Sequence, residues 1–281
     1  MNLTICVCGA GTMGRGIAQV AAQAGFDTIL YELNTAVLQQ AETALRKQLR
    51  VLVEKGKIEP GEDLKVLSRM KFVSNLSFCK ADFFIEAIIE RLDAKIDLFN
   101  QLLQINDNNC ILATNTSSLS INEIAGGVSK AANVIGMHFF NPAPVMKLVE
   151  VVTTAGTAQA TLDLTLNVAK RMGKTAVVCR DSPGFIVNRV ARPFYIESLR
   201  LVEEGIIELE AIDRIMEASG FKMGPFKLMD LIGNDVNFAV SNSVYEQLNH
   251  PERLKPSDIQ RGKVEKGELG KKTGKGYYRY E

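Results

Sequence analysis

The chain has 281 residues, 46% of them hydrophobic and 23% charged, with a formal net charge of +1. That length can bury a real core and suggests one large or two modest domains. The charge balance offers no basic excess for phosphate backbones, which argues against nucleic acid as a partner, and no apolar run is long enough to span a bilayer.

The opening stretch MNLTICVCGAG turns apolar at once, without a basic lead-in, so a cytoplasmic protein is expected. Leu3 to Cys8 reads as a short strand entering Gly9-Ala10-Gly11-Thr12-Met13-Gly14. Met13, Ile17, Val20, Ala21 and Ala24 then recur at helical spacing, Gly25 stops the helix, and Thr28 to Tyr31 forms a second strand ending in Glu32. A GxGxxG between strand and helix, with an acid at the end of the next strand, is the pattern of a dinucleotide site. Gly9 permits the tight turn, Gly11 lets backbone N–H groups approach a pyrophosphate, and Gly14 lets helix and strand pack closely. Thr12 and Met13 open the helix whose N-terminus faces the phosphates. Glu32 would accept hydrogen bonds from a ribose hydroxyl and repel a 2′-phosphate, which favours NAD. An ordinary glycine turn before an amphipathic helix is the plainer alternative.

A helix is expected from Thr35 to Glu54, apolar at Leu38, Leu45, Leu49, Leu52 and Val53. Its end and the next loop carry Arg46, Lys47, Arg50, Lys55 and Lys57, either a solvated face or a site for a phosphorylated handle. Pro60 and Gly61 break the chain before a second short helix and a strand near Lys71 to Ser74. Phe83 to Ala87 is the next strand, and a helix with Ile96, Phe99 and Leu103 on one face follows it. Cys110 to Asn115 leads as a strand into Thr116-Ser117-Ser118. Ser120 with Glu123 makes a capping box, so a helix begins after Ser120. Asn115 to Ser118 therefore lie at the carboxyl end of a strand, where open α/β sheets bind ligands; turn chemistry alone is the other reading.

Gly136 to Val152 reads GMHFFNPAPVMKLVEVV. A hairpin turning about Pro144 brings His138 opposite Glu150, because position 144 is their midpoint. A histidine held by a carboxylate makes a general base that works near neutral pH. A helix from Thr157 to Met172 and a strand from Thr175 to Cys179 come next. Asp181-Ser182-Pro183-Gly184 reads as a helix start. From Phe185 to Leu248 the apolar residues keep helical periodicity, with Pro193 expected to kink a helix or mark a join. The expected fold is thus α/β: a doubly wound Rossmann-type domain over 1–181, then an all-helical domain over 182–281. The five cysteines form no CxxC and no metal-ligand spacing, so buried reduced thiols and no metal are expected. The tail LGKKTGKGYY lacks the spacing of a phosphate loop. His250 is flanked by polar residues and reads as a surface histidine.

Together, GAGTMGRGIA, ATNTSSLSI, GMHFFNPAPVMKLVEVV, DSPGFIVNRV and LGKKTGKGYY resemble the (S)-3-hydroxyacyl-CoA dehydrogenases, especially the bacterial 3-hydroxybutyryl-CoA type. The likeness runs along essentially the whole chain. It implies that His138 takes the 3-hydroxyl proton, that Glu150 pairs with it, and that Ser117 and Asn188 hydrogen-bond the substrate. It implies cofactor contacts at Glu90, Lys95 and Asn115. It gives the Arg46 to Lys57 segment a role in holding coenzyme A, and it implies a homodimer built through the helical domain. Asn188 then has to act from the second domain. Asn234 departs from the apolar or variable residue expected there, which bears on acyl-chain preference. Two other classes compete: hydroxy-acid dehydrogenases that share the glycine loop but use a catalytic lysine, and dinucleotide-binding structural proteins without activity.

Overall fold

The computed structural model describes residues 3–281, and the chain divides into two compact units, residues 1–181 and 182–281. In the first unit the strands are β1 (Thr4–Cys8), β2 (Asp27–Tyr31), β3 (Met70–Val73), β4 (Phe83–Glu86), β5 (Ile111–Thr114), β6 (Val134–Phe139), β7 (Leu148–Thr153) and β8 (Thr175–Arg180). Between them run α1 (Thr12–Gln23), α2 (Thr35–Glu54), α3 (Glu62–Ser68), α4 (Leu92–Ile105), α5 (Ile121–Gly126) and α6 (Gln159–Arg171). The strands form one sheet in the order β3-β2-β1-β4-β5-β6-β7-β8. The first six are parallel to their neighbours, β6 and β7 are antiparallel, and β7 and β8 are parallel to each other.

The central strands are apolar runs because helices cover both faces, as parallel sheets require. Ile5, Val7, Leu30, Phe83 and Ile85 are buried with Ile17, Leu45 and Leu49 of α1 and α2. Strand order reverses between β1 and β4, which opens a crevice at their carboxyl ends. Edge strand β8 is different: Val177 and Val178 are 40% and 44% exposed.

The second unit contains α7 (Val187–Glu203), α8 (Leu209–Ala218), α9 (Pro225–Ile232), α10 (Asn234–Gln247) and α11 (Asp258–Glu265). Its core is Tyr195, Leu199, Ile212, Phe226 and Met229. Asp213 anchors α9 by accepting the backbone N–H groups of Phe226 and Lys227 at 2.9 and 3.0 Å. One expectation needs correction. Helix α7 starts at Val187, not at Ser182 to Gly184, because Gly184 and Phe185 take positive φ of 73° and 48° and cannot continue a right-handed helix. Pro193 lies within α7, which runs through it as a single element.

Candidate active site

The glycine loop closes the carboxyl end of β1. Gly9 has φ of 100°, and a Cβ there would lie 2.5 Å from the Ala87 carbonyl oxygen. A Cβ on Gly14 would lie 1.8 Å from the Gly9 carbonyl oxygen, so α1 can pack this closely only with glycine. Gly11 is the reverse case, with open space where its Cβ would stand. It caps α1 without a side-chain hydrogen bond, and the first turn, which contains Thr12 and Met13, holds no acid. An open helix N-terminus with no anionic side chain of its own fits a pyrophosphate. Glu32, at the end of β2, accepts from the Ala10 N–H at 3.0 Å and the Asn34 N–H at 3.1 Å. Glu32 is thereby fixed to the glycine loop.

Across the crevice, β4 ends in Glu86, which is fully buried. Its carboxylate accepts from Lys95 Nζ at 2.6 Å, Thr114 Oγ1 at 2.7 Å and the Ile88 N–H at 2.7 Å. Lys95 is 1% exposed and also meets Glu90 at 3.1 Å. Glu90 in turn accepts from the Thr116 hydroxyl, the Ser117 N–H at 3.2 Å and the Ser118 hydroxyl at 2.9 Å. Glu90 and Lys95 are therefore joined to each other and to the serine loop. Burial pushes the Glu86 carboxyl above its ordinary value, against the pull of Lys95. At Glu90 burial pushes the same way, but Lys95 and the Thr116 and Ser118 hydroxyls outweigh it and hold the carboxyl low. Sequence reasoning missed Glu86. The signal was present as an acid closing the otherwise apolar run Phe83-Phe84-Ile85.

The β6–β7 pairing sets His138 directly opposite Glu150. His138 Nδ1 and Glu150 Oε2 are 2.7 Å apart, and the residues are 6% and 1% exposed. Phe140 lies against the imidazole at a centroid distance of 4.7 Å. The connecting turn contains a cis Asn141–Pro142 bond, and Lys174 Nζ donates to the Ala143 and Met146 carbonyls at 2.5 and 2.8 Å. Asn115 Oδ1 accepts the Phe139 N–H at 2.8 Å, tying the end of β5 to the strand that carries the histidine. The structure thus gathers His138, Glu150, Asn115, Ser117, Glu90 and Lys95 around the ends of β4 to β7.

Asn188 belongs to the second unit, on the first turn of α7, where its carbonyl accepts from Arg192 Nε at 2.9 Å. Arg192 is 3% exposed and also donates to the Asn237 carbonyl and the Ser241 hydroxyl, both at 2.9 Å. Of the basic segment, Arg46 is tied to Glu42 at 2.6 Å, while Lys47, Arg50, Lys55 and Lys57 are exposed on α2 and its following turn. Asn234 is buried and donates to Asp230 at 2.9 Å and to the Glu268 carbonyl at 3.2 Å. His250 meets Glu246 at 2.6 Å on the surface. Among the described residues no cluster of His, Cys, Asp and Glu could hold a metal, and no helix is long and apolar enough to cross a membrane.

Comparison with known proteins adds an independent line. The family model for the NAD binding domain of 3-hydroxyacyl-CoA dehydrogenase matches residues 4–182, and that for the C-terminal domain matches residues 184–280. The chain is 44% identical to a 3-hydroxyadipyl-CoA dehydrogenase of Escherichia coli over 98% of its own length, and it spans 58% of the length of that relative. It is 41% identical to a probable 3-hydroxybutyryl-CoA dehydrogenase of Deinococcus radiodurans, covering 98% of this chain and 99% of the relative. The crystal structure of an (S)-3-hydroxybutyryl-CoA dehydrogenase from Ralstonia eutropha superposes with a TM-score of 0.94 at 36% identity, over 99% of both chains.

Proposed function

The chain belongs to the 3-hydroxyacyl-CoA dehydrogenase family, and from that premise we propose that it interconverts short-chain (S)-3-hydroxyacyl-CoA and 3-oxoacyl-CoA with NAD as cofactor. The observation that carries the mechanism is the buried His138–Glu150 pair at 2.7 Å. NAD supplies the hydride acceptor for the substrate carbon. The protein moves the proton. Nδ1–H donates to Glu150, so the neutral imidazole presents Nε2 as the acceptor for the 3-hydroxyl proton. Glu150 keeps the ring in that tautomer and stabilises the imidazolium once the proton has moved. Ser117 directs the reacting oxygen toward His138, and Asn188 is assigned the second polar contact to substrate. In reduction the same donors polarise the ketone.

Arg46, Lys47, Arg50, Lys55 and Lys57 are assigned to the coenzyme A nucleotide, Arg46 from a surface pair with Glu42 that a phosphate can compete with. Two copies are proposed to associate through the helical unit, where Leu231, Ile232 and Val236 are 50%, 41% and 48% exposed; light scattering on the purified protein tests this, and a monomer refutes it. The activity test is NADH oxidation with acetoacetyl-CoA, with free acetoacetate as control. The parent should reduce the thioester and leave the free acid almost untouched. His138→Ala should lower kcat by roughly 10²- to 10⁴-fold with NADH affinity retained. In the same assay Lys55→Ala/Lys57→Ala should raise the KM for acetoacetyl-CoA and spare a pantetheine thioester. A folded His138→Ala protein with parental turnover would end the proposal.

A further inference from the structure

Glu86 stands at the switch point of the sheet. In register it faces Cys8, the residue before the glycine loop, on one side and Thr114 on the other. It is 0% exposed, at a position whose preceding neighbours in β4 are Phe83, Phe84 and Ile85. Packing alone would be served by a fourth apolar side chain, because a buried carboxylate costs free energy unless it is fully bonded. Glu86 is bonded, and each partner comes from a different segment: Lys95 from α4, Thr114 from β5, and Ile88 from the loop after β4. The links continue outward. Lys95 holds Glu90, and Glu90 holds the backbone of Ser117 and the hydroxyls of Thr116 and Ser118.

We propose that Glu86 is a positioning residue for the reacting end of the cofactor site, setting Lys95 and, through Glu90, the Ser117 loop. It is fully out of solvent and acts by fixing other groups. The crevice beside it is where a doubly wound sheet receives a dinucleotide. The loop it steadies carries the serine assigned to the substrate oxygen, so the inference rests on the dehydrogenase reading. Burial pushes its carboxyl up, against the pull of Lys95, the Thr114 hydroxyl and the Ile88 N–H.

The test compares Glu86→Gln, Ser117→Ala and the double variant by thermal melting, NADH affinity without substrate, and kcat for acetoacetyl-CoA reduction. Glu86→Gln keeps the shape and leaves Lys95 paired with Glu90. Its Tm should stay within about 3 °C of the parent. Its NADH Kd and its kcat should each worsen by about 10- to 100-fold, the scale of a small misplacement in a reacting site. In the Ser117→Ala background the further loss in kcat should shrink to less than about threefold, because both changes act on one loop. Parental NADH affinity and kcat in Glu86→Gln, or a full multiplicative loss in the double variant, overturns the proposal. Should Glu86→Gln fail to fold, Glu86→Asp, which keeps the charge but shortens the reach to Lys95 and Thr114, takes its place in the same comparison, and a folded Glu86→Asp with parental NADH affinity and turnover would make the network purely structural. A parent that binds NADH but ignores acetoacetyl-CoA would refute the dehydrogenase reading instead, and the NADH Kd of Glu86→Gln would still decide the role of Glu86.

Discussion

At Glu32 each carboxylate oxygen accepts one backbone N–H, from Ala10 and from Asn34. Each keeps capacity for a further hydrogen bond, as a ribose diol requires, and the full charge opposes a 2′-phosphate. Glu32→Gln should therefore narrow the preference for NADH over NADPH by about 10-fold, chiefly by raising the KM for NADH. Steady-state kinetics with both cofactors checks this, and an unchanged ratio would remove Glu32 from the discrimination. The place of Glu32, at the end of β2 beside the glycine loop, was legible in the sequence because it follows a fixed motif at a fixed element. The pairing of His138 with Glu150 was legible for a similar reason: a turn centred on Pro144 determines which residues face each other, and β6–β7 has that register. Glu86 was not legible. An acid after three apolar residues looks like the polar end of a strand, and only the distant Lys95 and Thr114 turn it into the hub of a buried network.

Elements with local signals could be read from the chain, whereas those made by remote partners could not. Helix α2 runs from Thr35 to Glu54 because Asn34 Oδ1 caps the Ala36 and Val37 N–H groups and Gly56 takes a positive φ of 61° after the exit. The start of α7 lies later than the sequence suggests because Phe185 follows Gly184 into the left-handed region, which its own residue type does not signal. The glycine-rich tail is the strongest case of remote control. Asp230 of α9 accepts the Tyr277 and Tyr278 N–H groups at 3.0 and 2.9 Å and the Tyr280 hydroxyl at 2.9 Å. A Cβ on Gly276 would lie 1.9 Å from Asp230 Oδ1. The tail is thus a docking segment whose glycines let backbone reach a buried carboxylate. Gly276→Ala should cost about 1–3 kcal/mol through overpacking, seen as a lower urea midpoint. A midpoint equal to the parent's would mean the tail is free to shift.

At the scale of the molecule, the change from alternating strands and helices to helices alone marks the two units, because each periodicity reports its own kind of layer. Cys6, Cys8, Cys79 and Cys110 are buried as expected, while Cys179 on edge strand β8 is only half-buried, and together they have a consequence for stability. Burial raises the Cys110 thiol to about 11, and at Cys179 burial, with Glu150 and Asp181 adding to it, also gives about 11. Cys6 is pushed well up in the same direction, first by burial. Each has an unfolded value near 9. The folded state therefore holds these protons more tightly, so the stability they contribute is complete below pH 9 and is lost as pH rises from there toward 11. Arg192, lowered by burial to about 10, acts in the opposite sense near and above that pH, and burial lowers Lys174 in the same direction. The informative window is accordingly about pH 8.5 to 10. Across it the melting temperature should fall steadily, with Cys110 alone accounting for a term on the order of 1 kcal/mol. Cys110→Ala removes that term, so its melting temperature should start lower, from the small cavity, yet decline less steeply. Melting curves at four pH values for the two proteins separate the cases: a flat parental profile, or parallel slopes, would show that the buried thiols are not what the folded state protects at alkaline pH.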